Sequence, residues 1–359
     1  MPGEGWAGSK RLLQARVRRL DFMLTGCLKP AQSSTSRRGA AGGRTMALAF
    51  IFPGQGSQDV GMGAELAKAF AAAKAVFDEV DDALGQKLSQ IMWEGPKDVL
   101  TLTANAQPAL MAHSLAVLRV LEAERGLKLA DKVRYVAGHS LGEYSALAAA
   151  GTFSIGDAAR LLRIRGEAMQ KAVPVGVGAM AALLGVGLDV ARRIAADAAQ
   201  GDVCDVANDN EPTQVVLSGH KTAIDRVGEV GKAHGLRRAL PLPVSAPFHC
   251  SLMQPAADAM AEALAKVQMK APVVPVVCNV LAAPISDPDE IWRCLVEQVT
   301  GTVRWRESVE RMLADGVTDF CEIGSGKVLA GLVKRMSKDA QAVSVGTPAD
   351  IDAAAALLS

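Results

Sequence analysis

Aromatic residues are scarce in this chain, and long hydrophobic runs and closely paired cysteines are missing from it. Phe, Trp and Tyr make up 4% of the 359 residues, and no basic patch is interleaved with them, which argues against nucleic-acid binding. No apolar run approaches the ~20 residues that a membrane-spanning helix needs. The six cysteines contain no C-x-x-C pair, so neither a zinc site nor a disulfide framework is indicated. We therefore expect reduced thiols and a cytoplasmic protein that binds neither membranes nor nucleic acids.

The first 45 residues differ in composition from the rest. They hold nine Lys and Arg residues against two acidic ones and contain the segment SSTSRRGAAGGR. Such a leader is typical of an organellar transit peptide, but we favour a start assigned too far upstream of Met46, because the Ala-, Gly- and Arg-rich usage suggests a GC-rich bacterial gene. Either way, residues 1–45 are expected to be a disordered leader outside the fold. The remaining chain has 30 basic and 36 acidic residues, a formal net charge of −6 against +1 for the whole sequence.

From Met46 onward, strand-like and helix-like segments alternate in a globular composition that is 50% hydrophobic and 21% charged. ALAFIF is predicted to be a buried strand that ends in the turn PGQGSQ, and VRYVAG a strand that leads to Ser140. Strands separated by long helices imply an α/β fold, with a parallel sheet covered on both faces and ligands at the carboxyl ends of its strands. The helices are predicted near residues 62–84, 106–124, 140–150 and 155–172.

Residues 175–245 depart from this alternation. Their pattern predicts the order β-α-β-β-α-β, which is that of a ferredoxin-like unit, and VPVGVG and PVSAP at its two ends have the composition of linkers. We therefore predict a small ferredoxin-like subdomain at 175–245, inserted into a large α/β domain made of 46–174 and 246–359. The large domain would continue with a helix at 249–268, the strand VVPVVCNV, helices near 288–299 and 303–315, the strand DFCEIG and a closing helix.

Ser140 lies in the G-x-S-x-G pattern GHSLG, between a predicted strand and an Ala-rich helix. In α/β folds this turn exposes a serine hydroxyl on a tight bend, because Gly138 and Gly142 carry no side chain that would collide with the strand or the helix. Serine is also a good helix cap, so an ordinary strand-to-helix turn fits the pentapeptide too. The pattern alone leaves the nucleophile and the cap as alternatives.

A serine nucleophile needs a base within hydrogen-bond reach, and the chain has five histidines. His249, in SAPFHC, lies where the chain re-enters the large domain and is the candidate base, with a buried or capping histidine as the alternative. His139 adjoins Ser140 and is expected to support the bend. The other histidines, expected to be packed or surface residues, are His113, His220 and His234.

Arg165 follows Ser140 by 25 residues, in RLLRIRGEAMQ. A guanidinium can hold a carboxylate through two parallel hydrogen bonds, which gives both affinity and selection. A solvated helix arginine is the alternative. Because Arg160 and Arg163 lie on the same predicted helix, spacing alone does not single out Arg165.

Five motifs occur in order along the chain, namely FIFPGQGSQDVGMG, GHSLGEYSALAAAG, IRGEAMQKAVPVGVGAMAALLG, SAPFHC and EIGSGKVLAGLVKR. With their spacings they resemble the malonyl-CoA:acyl-carrier-protein transacylases of bacterial fatty-acid synthesis, from Met46 to about Gly346. The resemblance implies an α/β-hydrolase-like parallel-sheet core with an inserted ferredoxin-like subdomain. The pattern of residues 175–245 indicates the second part independently.

The resemblance also implies roles for individual residues. Ser140 would be the nucleophile, His249 its catalytic partner, and Arg165 the group that binds the malonyl carboxylate. Backbone N–H groups of Gln55 and Leu141 would form the oxyanion hole.

Two more residues follow from the same resemblance. In the family a main-chain carbonyl, here near Gln298, orients the histidine in place of an aspartate. Phe248 is a residue that members favouring malonyl over branched substrates often carry.

Two other functions fit these residues less well. A thioesterase would share the serine turn but would explain neither Arg165 nor GQGSQ. A non-catalytic scaffold is disfavoured because neither the nucleophile nor the base is missing.

The implied reaction is ping-pong malonyl transfer from malonyl-CoA, through a serine ester, to the phosphopantetheine thiol of acyl carrier protein. It requires no metal or redox cofactor, and we expect a monomer. Carrier proteins are acidic, so a chain body of net charge −6 needs a local basic patch for docking. The candidates for that patch are Arg192, Arg193, Arg237, Arg238, Lys334 and Arg335.

Overall fold

This computed structural model describes residues 47–358, which form two β-sheets with helices packed against them. The predicted leader, residues 1–45, lies outside the described residues. The strands are β1 (Ala47–Phe52), β2 (Val133–Gly138), β3 (Gly178–Leu184), β4 (Cys204–Glu211), β5 (Gln214–His220), β6 (Arg238–Pro241), β7 (Val276–Cys278), β8 (Ala283–Ile285), β9 (Val317–Ile323) and β10 (Gln341–Val345).

Helices connect most of these strands. They are α1 (Ala64–Ala69), α2 (Ala71–Leu84), α3 (Leu88–Glu94), α4 (Lys97–Thr101), α5 (Thr103–Arg125), α6 (Leu129–Lys132), α7 (Gly142–Ala149), α8 (Ile155–Ala172), α9 (Leu188–Ala199), α10 (Lys221–Lys232), α11 (Gln254–Leu264), α12 (Pro288–Glu297), α13 (Trp305–Ala314), α14 (Val328–Met336) and α15 (Pro348–Leu358). No helix within residues 47–358 has the length and apolar character to cross a membrane.

The first sheet has the strand order β10-β9-β1-β2-β7-β8, and its strands are parallel except for β8, which runs antiparallel to β7. Helices cover both faces of β1: Phe50 and Phe52 pack on the side of α5, whereas Ile51 packs on the side of α13 and α14. Burial on both faces explains why ALAFIF is a continuous apolar run rather than an alternating one. The predicted parallel sheet covered on both faces is confirmed.

The second sheet is antiparallel, in the order β4-β5-β3-β6. Together with α9 and α10 it gives the predicted β-α-β-β-α-β order, and its fourth strand lies beside its first, as in a ferredoxin-like unit. The apolar sides of both helices cover one face of this sheet, where Leu183, Ile194 and Leu217 are buried together. The predicted fold class is therefore confirmed, while the exact limits of the two domains stay predictions.

Several predicted elements differ in their bounds. The helix predicted at 62–84 is two helices, because Phe70 takes an extended backbone and packs its ring against the core. The helix predicted at 249–268 begins with a 3-10 turn, Ser251–Met253, and ends at Leu264. The strands β8 and β10 were not predicted, because β8 has only three residues and β10 is a partly exposed edge strand with a weak apolar pattern.

Candidate active site

The strand β2 delivers Ser140 to a sharp bend before α7. Ser140 has φ 55°, in the left-handed region. A Cβ atom on Gly138 would lie 1.9 Å from the carbonyl oxygen of Gly142, and one on Gly142 would lie 2.3 Å from that of Phe52. Both glycines are therefore required by the close approach of backbone to backbone, as predicted from the pattern. Leu141 occupies the cap position of α7, and no side chain caps this helix, so the alternative of Ser140 as a helix cap is wrong.

The hydroxyl of Ser140 instead lies against His249. Ser140 Oγ is 2.7 Å from His249 Nε2, and His249 Nδ1 is 2.8 Å from the main-chain oxygen of Gln298. A carbonyl oxygen can only accept, so Nδ1 carries the proton and Nε2 accepts the hydrogen bond from the serine hydroxyl. Burial, with the positive charge of Arg165 nearby, lowers the pKa of His249 to about 3. At neutral pH the imidazole is therefore neutral and can accept a proton.

His249 is held at the point where the chain returns from the second sheet. Its backbone, like that of Ser140, is left-handed, with φ 58°. Phe248 before it is buried in the main core. Ser251 after it donates hydrogen bonds from its backbone N (2.8 Å) and its Oγ (2.9 Å) to the carboxylate of Asp205 on β4. The two sheets therefore jointly fix the position of the imidazole.

Arg165 lies on α8 and is 1% exposed, so the alternative of a solvated helix arginine is wrong. Its Nη1 donates to Gln107 Oε1 (2.8 Å), and its Nη2 donates to Gln298 Oε1 (2.9 Å) and to Ser140 Oγ (3.2 Å). The ring centre of Tyr144 lies 5.6 Å from the guanidinium carbon. Burial lowers the pKa of Arg165, but a guanidinium stays protonated in proteins. Within the described residues, no carboxylate forms an ion pair with this buried cation.

The glycine after Arg165 brings its helix close to α5. A Cβ atom on Gly166 would lie 2.6 Å from the Cα of Ala104. This close approach places Gln107 of α5 within hydrogen-bond distance of the guanidinium. The small size of Gly166, which directly follows Arg165, is therefore needed for the placement of the arginine.

The two predicted oxyanion donors lie at the ends of adjacent strands. Phe52 and Gly138 are partners in the register of β1 and β2, so the turn containing Gln55 lies beside the bend at Ser140. In the described part of the chain, the backbone N–H groups of Gln55 and Leu141 donate to no protein acceptor. Both donors are therefore available for a substrate oxygen.

The side chain of Gln55 is linked to Arg165. Thr103 Oγ1 donates to Gln55 Oε1 (2.9 Å), and Gln107 Nε2 donates to Thr103 Oγ1 (2.9 Å). Gln107 in turn accepts from the guanidinium of Arg165. A continuous chain of hydrogen bonds therefore joins the Gln55 turn to the buried cation.

Sequence reasoning missed Gln107, Glu143 and Asn279. Glu143 Oε2 accepts from Gln298 Nε2 (2.8 Å) and from the backbone N of Asn279 (3.0 Å). Asn279 Oδ1 accepts from the backbone N of Ser140 (2.8 Å), and its Nδ2 donates to the carbonyl of Gly138 (2.7 Å). A signal existed for Asn279, which directly follows β7, the neighbour of β2 in the sheet. For Gln107 the signal was a polar residue within an apolar helix.

The residues predicted to bind the carrier protein are all exposed. Two of them form ion pairs, Arg192 with Asp189 at 3.5 Å and Arg335 with Glu211 at 3.2 Å. Their role in docking stays a prediction.

His139, the residue before Ser140, lies beside the bend. Its Nε2 is 2.9 Å from Asn210 Oδ1, as expected of a residue that supports the bend.

Comparisons with known proteins show the family of this chain. Residues 49–350 match the family model for the acyl transferase domain. The chain is 45% identical over 308 residues to the malonyl CoA-acyl carrier protein transacylase of Bacillus subtilis, covering 86% of this chain and 96% of that protein. It is 46% identical over 307 residues to the transacylase of the same name from Escherichia coli K12, covering 86% of this chain and 98% of that protein.

Solved structures give the same result. The acyl-carrier-protein S-malonyltransferase of Bartonella henselae is 57% identical, with a TM-score of 0.85 over 87% of this chain and 99% of that one. A malonyl-transacylase solved in complex with a type II polyketide acyl-carrier protein is 43% identical, with a TM-score of 0.83 over 86% of this chain and 99% of that one. The chain is therefore an acyltransferase and belongs to the malonyl CoA-acyl carrier protein transacylase family of acyl transferases.

Proposed function

We propose that this protein transfers the malonyl group of malonyl-CoA to the phosphopantetheine thiol of an acyl carrier protein, in fatty-acid synthesis, through a malonyl ester of Ser140. One observation carries the proposal: the Ser140 hydroxyl lies within hydrogen-bond distance of both a neutral imidazole and a buried guanidinium that has no ion-pair partner among the described residues. The first suits acyl transfer to a serine, and the second suits an acyl group that ends in a carboxylate. The names of the relatives point to the same reaction.

The first half-reaction begins with the transfer of the Ser140 hydroxyl proton to His249 Nε2. Ser140 Oγ attacks the thioester carbonyl, and the N–H groups of Gln55 and Leu141 stabilise the negative charge on its oxygen. The C–S bond then breaks, and His249 gives its proton to the departing thiolate of coenzyme A. The carbonyl of Gln298 keeps the imidazole in the required tautomer throughout.

Arg165 selects the acyl group. Its present partners are uncharged oxygens of Gln107, Gln298 and Ser140, so the carboxylate of a malonyl group would be its first direct anionic partner. Bidentate binding would fix the acyl group with its thioester carbonyl towards Ser140 Oγ. Phe248, buried beside His249, would limit the room for branched acyl groups.

The second half-reaction repeats these steps in reverse. The phosphopantetheine thiol of the carrier protein loses its proton to His249 and attacks the ester carbonyl. Ser140 Oγ leaves and regains its proton from the imidazolium. Each step uses only residues of this chain and its two substrates, so we infer that neither a metal nor a redox cofactor takes part. We further propose that a monomer in the cytoplasm acts on the acidic carrier protein, which it binds through the exposed arginines and lysine named above.

Trapping the ester tests this proposal. The protein is incubated with malonyl-CoA, and the peptide containing Ser140 is analysed by mass spectrometry before and after addition of phosphopantetheinylated carrier protein. We expect a malonyl adduct that the carrier protein discharges, and no adduct on Ser140→Ala. Ser145→Ala is the matched control, because Ser145 is a buried serine of α7, the helix that follows Ser140, and its hydroxyl makes no hydrogen bond among the described residues. An adduct that persists on Ser140→Ala would refute the assignment of the nucleophile.

A further inference from the structure

A buried carboxylate with no part in the proton transfers lies one helical turn beyond the nucleophile. Glu143 is 1% exposed, on the first turn of α7. We propose that the Glu143 carboxylate is a positioning residue that fixes the side-chain amide of Gln298, and through it Arg165, so that loss of its negative charge slows acylation of Ser140. This inference rests on the proposed function and adds to it a residue that responds to pH.

Gln298 is the residue through which Glu143 would act. The main-chain oxygen of Gln298 accepts from His249, and its side-chain Oε1 accepts from Arg165 Nη2 (2.9 Å). Its Nε2 donates to Glu143 Oε2 (2.8 Å) and also lies near the carbonyl of Ser140 (3.0 Å) and Asn279 Oδ1 (3.2 Å). One residue therefore contacts the base, the guanidinium and the backbone of the nucleophile.

The carboxylate determines which end of this amide faces Arg165. The oxygen and nitrogen ends of an amide have nearly the same shape, so the hydrogen-bond partners decide its orientation. At the Nε2 end of Gln298, Glu143 is the charged acceptor, and hydrogen bonds to a charged partner are about twice as strong as neutral ones. Reversing the amide would place its oxygen against that carboxylate and its NH₂ group against the guanidinium of Arg165.

Glu143 can change its charge in the working range of pH. Burial raises the pKa of Glu143 to about 7, against the lowering effects of its hydrogen bonds to Asn279 and Gln298, the thiol of Cys278 and the positive charge of Arg165. Among the described residues, the titratable and charged groups that face Glu143 are Cys278, Arg165 and Tyr144, which lies on the same helix. Below this pKa the neutral carboxyl is a weaker acceptor for Gln298, so we expect acylation to slow as the pH falls through about 7.

The pH profile of acylation tests the proposal. The single-turnover rate of Ser140 acylation by malonyl-CoA is measured between about pH 5.5 and 9 for the unmodified protein and for Glu143→Gln, with Ser145→Ala as the matched control. His249, with a pKa of about 3, and the malonyl carboxyl, which titrates near ~4, do not change charge in this range. The ionisable groups of coenzyme A belong to the shared substrate, so their titration affects the rates of all three proteins equally.

For the unmodified protein and Ser145→Ala we expect a rate that rises through an apparent pKa near 7 and then levels. Glu143→Gln is expected to lack this rise and to be about ten- to a hundredfold slower at the plateau, the loss that misplacement of groups around the reacting atoms causes. A Glu143→Gln profile that keeps the same midpoint and plateau would overturn the proposal. A protein without malonyl ester at any pH would instead refute the proposed function, so the two failures are distinguishable.

Gln298→Leu separates positioning from a general effect on the fold, because it removes the side-chain amide and keeps the main-chain oxygen that His249 uses. In that background Glu143→Gln should add little to the loss, since interacting residues are not additive. If the losses of acylation rate from the two substitutions add fully, Glu143 does not act through Gln298, and that part of the proposal is overturned. If Glu143→Gln does not fold, Glu143→Asp takes its place: it should keep a pH-dependent rise with a shifted midpoint and a lower plateau, and an unchanged profile would count against the proposal.

Discussion

Two arginines in different regions of this protein have opposite surroundings. Arg165, in the candidate active site, is 1% exposed, and its acceptors among the described residues are all uncharged oxygens. Arg306, on α13 beside the second sheet, has a side chain that is 21% exposed and contacts two carboxylates. Its Nε donates to both oxygens of Asp209 (3.2 and 3.0 Å), and its Nη1 to both oxygens of Glu310 (2.9 and 2.8 Å). The more deeply buried cation is the one without an ion-pair partner among the described residues.

The pKa values of the two groups move in opposite directions. Burial lowers the pKa of Arg165. Burial also acts to lower the pKa of Arg306, but its hydrogen bonds to Asp209 and Glu310 outweigh this and raise it. A buried cation without a carboxylate partner destabilises a fold, whereas a well-paired one offsets its desolvation. The difference is consistent with a structural role for Arg306 and with the proposal that Arg165 binds the carboxylate of the substrate.

Of the changes that test this comparison, Arg165→Ala is expected to have the largest effect, and the effect is on the use of malonyl-CoA. Losing one member of a buried charge pair costs about 3–5 kcal/mol, which corresponds to a loss of roughly a hundred- to several-thousand-fold in kcat/KM for malonyl-CoA. Acetyl-CoA has no free carboxylate, so its use should stay the same or improve. Steady-state kinetics with both substrates measure this change in preference. Equal losses for the two substrates would mean that Arg165 is structural.

A smaller effect, on stability rather than on selectivity, is expected from Arg306→Ala. This change leaves the fully buried Asp209 without its main partner, and hydrogen bonds to charged groups contribute about 1.5–3 kcal/mol each. Because Arg306 is partly exposed, we expect a loss of about 2–3 kcal/mol in the free energy of unfolding, measured by urea titration. Adding Asp209→Asn should recover part of it. A change in the ratio of malonyl- to acetyl-CoA use would contradict the contrast with Arg165.

The smallest effect is expected from removal of residues 1–45. Within residues 47–358, the hydrogen-bond networks of both arginines are made by residues from Gln55 onward. The aligned 307–308 residues of this chain already cover 96–98% of the curated relatives. A protein that begins at Met46 should keep its melting temperature and its transfer rate to within about twofold, a difference of roughly 0.4 kcal/mol. Failure of this shortened protein to fold would show that the leader contributes to the core.

The sequence predicts the local features of the site better than it predicts the contacts between residues far apart in the chain. The bend at Ser140 follows from two glycines within four residues of each other, so a short pattern contains the whole steric argument. The partners of Glu143 lie at Asn279 and Gln298, which are 136 and 155 residues away, and no local pattern records such a contact. The contacts of Arg165 with Gln107 and Gln298, which are 58 and 133 residues away, were not predicted for the same reason, although the polar Gln107 within an apolar helix was itself a signal. The resemblance to a family indicated which residues to expect in functional roles, and the structure added the contacts that hold them.

The left-handed backbone of both Ser140 and His249 has a consequence for protein engineering. Residues with a Cβ atom in this conformation destabilise a fold by roughly 1–2 kcal/mol each, and glycine does not. Under the proposed function, glycine at position 140 would relieve this strain and remove the nucleophile, so selection for heat resistance alone would enrich inactive proteins. At position 249 the loss of a buried, hydrogen-bonded imidazole opposes the same change. Stabilising mutations commonly reduce function where an active site holds strain. A thermostability library for this enzyme should keep both codons fixed and randomise elsewhere.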